Sequence, residues 1–168
     1  VSEKLAIAIR NIEFARNYSR SLLDGLEDDD WFWSPEQFTT HIAWQVGHLA
    51  MSEYGLTLFR QRGRDLSVDQ QLMSSRFRKL FMRGTRPIAD RSAYPEPSEI
   101  LAVLDRVHEQ MRIEIVGFDG PQLDESLDPP HAAYATRYGA LLFAGDHEML
   151  HSGQIGMLRR LMGKDPIR

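Results

Sequence analysis

The sequence predicts an all-α fold, a four-helix bundle with a long crossover connection between helices two and three. Three observations predict it. Four segments carry apolar residues at helical spacing, nothing alternates strictly over a strand's length, and the connections are unequal, short between helices one and two and long between two and three.

Helix one runs from Ser2, a ready N-cap, towards Gly25, with Leu5, Ile9, Ile12, Ala15, Tyr18 and Leu22 on its apolar side. Residues 27 to 40 carry acids, aromatics and Pro35 and read as a loop or one short turn, whose Trp31, Phe32, Trp33 and Phe38 partly plug a core. Helix two spans about Thr40 to Arg62, with Ile42, Val46, Leu49, Tyr54, Leu58 and Phe59, and Gly63 ends it. The stretch from Arg64 to Pro97 forms the crossover: a short helix from about Val68 to Met82, then Gly84, Pro87, Pro95 and Pro97 as breakers. Ser98 is the expected cap of helix three, which carries Ile100, Leu104, Val107, Met111 and Ile115 and finishes near Gly117. Residues 118 to 135, with Pro121, Pro129 and Pro130, read as loop. Thr136 opens helix four, whose Leu141, Ala144, Ile155 and Leu158 lead to Gly163.

With 168 residues the chain fits a single domain, 1–168, large enough to bury about 70% of its unfolded surface. The absence of cysteine excludes disulfides, thiolate catalysis and Cys-based metal sites, leaving His, Asp and Glu as metal donors. A net charge of −4 has the wrong sign for a protein that works by neutralising phosphates, so nucleic acid is not an expected partner. No stretch approaches the roughly 18 to 20 apolar residues of a membrane span and the first residues carry no apolar leader, so a cytoplasmic protein without membrane partners is expected.

The chemistry sits in the histidines: His41, His48, His108, His131, His147 and His151. A single helical His is more often a surface or hydrogen-bonded core residue than a ligand. His147 and His151 differ because residues i and i+4 lie about 40° apart around a helix and about 6 Å apart along it, so both imidazoles can reach one ion. A catalytic metal usually takes three protein ligands, and His48, amid apolar neighbours on helix two, is the best-placed third. Beside it, Gly47 permits close approach of another element. His41 lies on nearly the same face about 10 Å farther along the axis, where it could line the cleft but not share the shell. Trp44, one turn before His48, is a second candidate wall.

His147-Glu148-Met149-Leu150-His151 matches the His-Glu-x-x-His pattern of zinc proteases, in which the Glu is general base. The extended motif wants Gly and His where Gln154 and Leu158 stand, and little chain follows to supply a carboxylate ligand. A residue next to His147 is also rotated about 100° from it. Glu148 and Gln154 are therefore weak catalytic candidates. The run Arg76, Arg78, Lys79, Arg83 and Arg86, interleaved with Phe77 and Phe81, reads as a solvated amphipathic face, with binding of an anionic cosubstrate as the functional alternative.

Ile42-Ala43-Trp44-Gln45-Val46-Gly47-His48-Leu49-Ala50, followed by His147-x-x-x-His151-x-Gly153-Gln154-Ile155 and Leu158-Arg159-Arg160-Leu161-Met162-Gly163, resembles the DinB-like (YfiT-like) family of metalloenzymes. The resemblance covers nearly the whole chain. It implies a four-helix bundle holding one divalent metal ion, zinc or nickel, on His48, His147 and His151. Relatives include thiol S-transferases that use bacillithiol or mycothiol and a thiol-dependent maleylpyruvate isomerase. The resemblance therefore implies a small-molecule substrate, a low-molecular-weight thiol as cosubstrate and a homodimer. The leading expectation is a metal-dependent thiol transferase. The alternatives are a non-catalytic bundle with a structural or absent metal, and a metal-dependent hydrolase using Glu148 as base.

Overall fold

The computed structural model describes residues 1–37 and 39–167. The predicted Phe38 plug lies outside them. α1 (Glu3–Ser21) starts at Ser2, whose hydroxyl accepts from the Leu5 amide, and the chain turns at Gly25, where φ is 70°. α2 (Ile42–Glu53) passes without interruption into a π-helical segment, Tyr54–Phe59, and one further turn, α3 (Arg60–Arg62), before Gly63. α6 (Pro97–Glu114) and α7 (Arg137–Leu161) complete the bundle, α7 being capped by the Thr136 hydroxyl. α1 lies along α7, and α2 packs against α6 and α7.

The core is where the helical spacing puts it. Leu5 and Ile12 of α1, Ile42 and Val46 of α2, Leu104 and Met111 of α6, and Leu141 and Ile155 of α7 are all buried, each contributing about 1.5–3 kcal/mol by leaving water. Asn11 meets α7 where Gly145 leaves room for it, and its amide donates to the Leu142 carbonyl at 3.0 Å. No helix is long and apolar enough to cross a membrane.

The sequence reading needs correcting in four places. The single helix expected over Val68 to Met82 is two, α4 (Leu66–Leu72) and α5 (Ser75–Phe81), because the Asp65 and Ser74 side chains each cap a fresh start. α6 begins two residues earlier than Ser98 predicts: Glu96 is the N-cap and Pro97 the first residue, a position where proline's fixed φ suits the helix and its missing N–H costs nothing. The 118–135 loop contains an antiparallel hairpin, β1 (Ser126–His131) with β2 (Tyr134–Thr136). Its prolines are tolerated because both strands of a two-stranded ribbon are edges. In the aromatic loop, Trp31 is buried and Phe32 packs against the core, but Trp33 stands 37% exposed.

Candidate metal centre

α2 and α7 cross with His48, His147 and His151 facing one another. One ring nitrogen from each lies within 4.8 Å of the others. Ring centroids are 5.4 Å apart for His48 and His147, 5.0 Å for His48 and His151, and 4.5 Å for His147 and His151. Burial, and then the nearness of the neighbouring imidazoles, pushes His147 down to about 4 and His151 down to about 3, and burial also lowers His48. At neutral pH all three rings are uncharged and offer lone pairs.

The hydrogen bonds fix which lone pair each ring offers. His48 Nδ1–H donates to the Phe81 carbonyl at 2.7 Å, at the end of α5, leaving Nε2 as the bare nitrogen with the Ser52 hydroxyl 3.3 Å away. His151 Nδ1–H donates to Gln45 Oε1, again freeing Nε2. A second hydrogen bond on the far nitrogen, setting tautomer and ring angle, is how metal-binding histidines are usually held. His147 Nδ1 is buried and meets no partner among the described residues, and buried polar atoms rarely stay unsatisfied. Three neutral imidazoles, two with fixed tautomers and one with an orphaned nitrogen, fit a borderline divalent ion such as zinc or nickel. Among the described residues the cluster gathers these three donors alone.

Two features support the cluster from outside. Trp44 stacks on His48, with centroids 4.9 Å apart and planes within 5°, and so covers one face of that ring. Gly47 has no Cβ where one would fall 2.4 Å from the Phe81 ring; this lets α5 come close enough to present its carbonyl to His48.

The remaining candidates separate cleanly. His41 does not line the site: it is the N-cap of α2, its Nδ1 accepting from the Trp44 amide at 3.1 Å and its Nε2–H donating to the Ile88 carbonyl at 3.2 Å. With both nitrogens used, and burial holding it neutral down to about 4, it has no lone pair to offer. Glu148 is neither solvated nor a base beside the cluster. It points to the other side of α7, where Oε1 accepts from Arg16 Nε at 2.8 Å and from the Ser19 hydroxyl, and Oε2 from Arg16 at 3.2 Å. The His-Glu-x-x-His match is therefore a coincidence of spacing. Gln154 acts at one remove: its Oε1 accepts from Gln45 Nε2 at 3.0 Å, and Gln45 holds His151. In the basic run, Phe77 and Phe81 are core residues and Arg83 turns to the cleft.

Beside His48 and His147 opens a cleft of about 460 Å³ that the sequence reading did not foresee. The hairpin supplies one wall through His131 and Tyr134, which stack at 4.6 Å, and Phe143 bridges them to His147 at 5.5–5.7 Å. The π-helical segment contributes Gly55, Leu56 and Phe59 to its lining.

A family model of the DinB superfamily matches residues 11–155. The structure also resembles the crystal structure of a conserved protein from Enterococcus faecalis, with a TM-score of 0.72 and 16% sequence identity over 98% of this chain and 100% of that one. A search of curated proteins finds no match.

Proposed function

The chain belongs to the DinB superfamily, and on that premise we propose that it joins a low-molecular-weight thiol to a small electrophile, using one divalent ion held by His48, His147 and His151. The observation that carries this reading is a three-histidine cluster of which His48 and His147 line a cleft, with no fourth protein donor among the described residues. A structural site would be closed by a fourth ligand.

The histidines are neutral donors, so an ion keeps its full charge. When bound, it would favour a deprotonated thiol near neutral pH. The chain has no cysteine, so the sulfur comes from a cosubstrate. In the transfer the thiol proton passes to solvent and a sulfur electron pair forms the new S–C bond. The leaving group departs with the electrons of the bond it breaks. The Gln45 and Phe81 contacts hold the ligating rings, Trp44 shields the face of His48, and the Tyr134 and Phe143 wall keeps the electrophile's body out of water. Glu148 is committed to Arg16, which removes the base that a hydrolase of the zinc-protease type needs.

Metal analysis of protein purified without an affinity tag tests the site. One equivalent of zinc or nickel is expected in the native chain and none in His48→Ala, His147→Ala or His151→Ala. His41→Ala should keep the metal and lose about 1 kcal/mol of stability with its helix cap. Full occupancy in any of the three ligand variants overturns the assignment. With the metal established, loss of free thiol against a panel of electrophiles tests the transfer, and consumption unchanged in His147→Ala would refute it.

A further inference from the structure

The cleft beside the histidine cluster has a chemical character of its own. The chain carries 24 acidic residues, yet none of them lines this cleft, whereas Arg60 and Arg83 both do. The nearby Arg62 is spent on Asp69 and Glu114, and Arg137 on Glu125. Among the described residues no carboxylate pairs with Arg60 or Arg83. Two guanidiniums in one cavity without a carboxylate partner among the described residues give it a positive potential that favours an anionic guest.

Position separates the two ends of the cleft. Arg60 stands twelve residues after His48 on one continuous helix, about three turns farther along its axis. Arg83 follows two residues after Phe81, whose carbonyl holds His48. His131 of the hairpin lines the same cleft as both arginines and is lowered first by burial and then by the charges of Arg83 and Arg60. Between this cationic end and the histidines the walls are apolar: Met51, Leu56, Phe59, Tyr134 and Phe143. Phe59 remains 44% exposed, although its ring would normally be covered, and it faces this space.

We propose that the cleft takes a small organic acid with a flat apolar body, its anionic group held by Arg60 and Arg83 and its reacting end directed to His48 and His147. The proposal rests on the reading of the histidine cluster as the reacting end. It adds the substrate class and the two residues that select it. Arginine suits this task because its planar fork meets a carboxylate or phosphate with two parallel hydrogen bonds.

The test is isothermal titration of metal-free protein, so that its outcome is independent of the metal assignment. The probes are 3-phenylpropionate, its uncharged amide and inorganic phosphate. The acid should bind with a stoichiometry of one and about tenfold or more tighter than either the amide or phosphate. Arg60→Gln and Arg83→Gln should each weaken the acid by about tenfold and leave the amide unchanged, while Arg60→Lys falls between wild type and Arg60→Gln. Arg86→Gln, exposed and outside the cleft, should bind as wild type. Circular dichroism melts verify that each variant is folded. Equal affinity for acid and amide, wild-type affinity in both glutamine variants, or phosphate binding as tightly as the acid would each overturn the proposal. So would no saturation by the acid up to about 10 mM. Any of these failures leaves the three-histidine site standing, whereas loss of that site in its own test removes the reacting end and leaves the cleft as an acid-binding site alone.

Discussion

At Gln45 both ends of one amide are committed. Oε1 accepts from His151 Nδ1, and Nε2 donates to Thr40 Oγ1 at 2.9 Å and to Gln154 Oε1 at 3.0 Å. The two acceptors at Nε2 fix which way the amide faces, the amide fixes the His151 tautomer, and the tautomer leaves Nε2 bare. Gln45→Leu should therefore lower metal affinity by about 10–100-fold with all three ligands still present, read by competition against a chromophoric chelator. Unchanged affinity would mean that helix packing alone orients His151. The three ligands were legible in the sequence because imidazole is a scarce donor and i, i+4 spacing has one geometric consequence. Gln45 was not, since a glutamine inside a helix carries no signal of which side chain it bonds. Its signal was its place three residues before His48, between Ala43 and Val46 on a buried stretch. The Glu148 candidate failed for the opposite reason: a motif records order along the chain, and here rotation around α7 sends the carboxylate to Arg16.

Elements deliver these side chains, and the ones that build the cleft were the hardest to read. Hydrophobic periodicity tolerates one extra residue per turn, so a π-helical segment from Tyr54 to Phe59 reads as ordinary helix. The extra residue nevertheless turns Phe59 and Arg60 towards the cleft. The hairpin was masked by Pro129 and Pro130, which are strong loop signals in a long sheet and weak ones in a two-stranded ribbon. Where a glycine marks a close approach the sequence was more informative. Gly47→Ala places a methyl 2.4 Å from the Phe81 ring, so α5 must move and take the His48 acceptor with it. The variant should lose about 1–3 kcal/mol in chemical denaturation and bind metal more weakly as well. Gly153→Ala on α7 meets nothing within 4 Å, so it should be neutral or up to about 1 kcal/mol more stable, with metal affinity unchanged. Equal behaviour of the two variants would refute the role given to Gly47.

Across the whole molecule, the four long helices meet in one buried ionic network on the side of α7 away from the metal cluster. Arg16 of α1 bonds Glu53 of α2 at 2.8 Å, Glu148 of α7 at 2.8 Å and the Leu104 carbonyl of α6 at 3.3 Å. His108 of α6 closes it with Nδ1 on Glu53 at 2.7 Å and Nε2 facing Glu13 at 3.4 Å. The bundle itself was plain from periodicity. The network left only a faint trace: Arg16 falls four residues after Ile12 and Glu148 four after Ala144, charged groups on otherwise apolar stripes. Its protonation couples stability to pH. Around His108, burial and Arg16 favour the neutral ring, but the hydrogen bond and charge of Glu53, with Glu13 behind it, outweigh them and raise the imidazole above its ordinary 6.5. A histidine raised in the folded state contributes stability that is complete below its unfolded value and is lost as pH climbs through the folded one. In chelator, where the metal site is silent, the melting temperature of the native chain should therefore fall as pH rises from about 6.5 through that raised value. His108→Gln keeps a donor for Glu53 but does not titrate, so its melting temperature should be lower at pH 6 and flatter across the same window. If native and variant curves run parallel from pH 6 to 9, then His108 is not the proton-linked member of the network, and its pairing with Glu53 links α6 to α2 without coupling stability to pH.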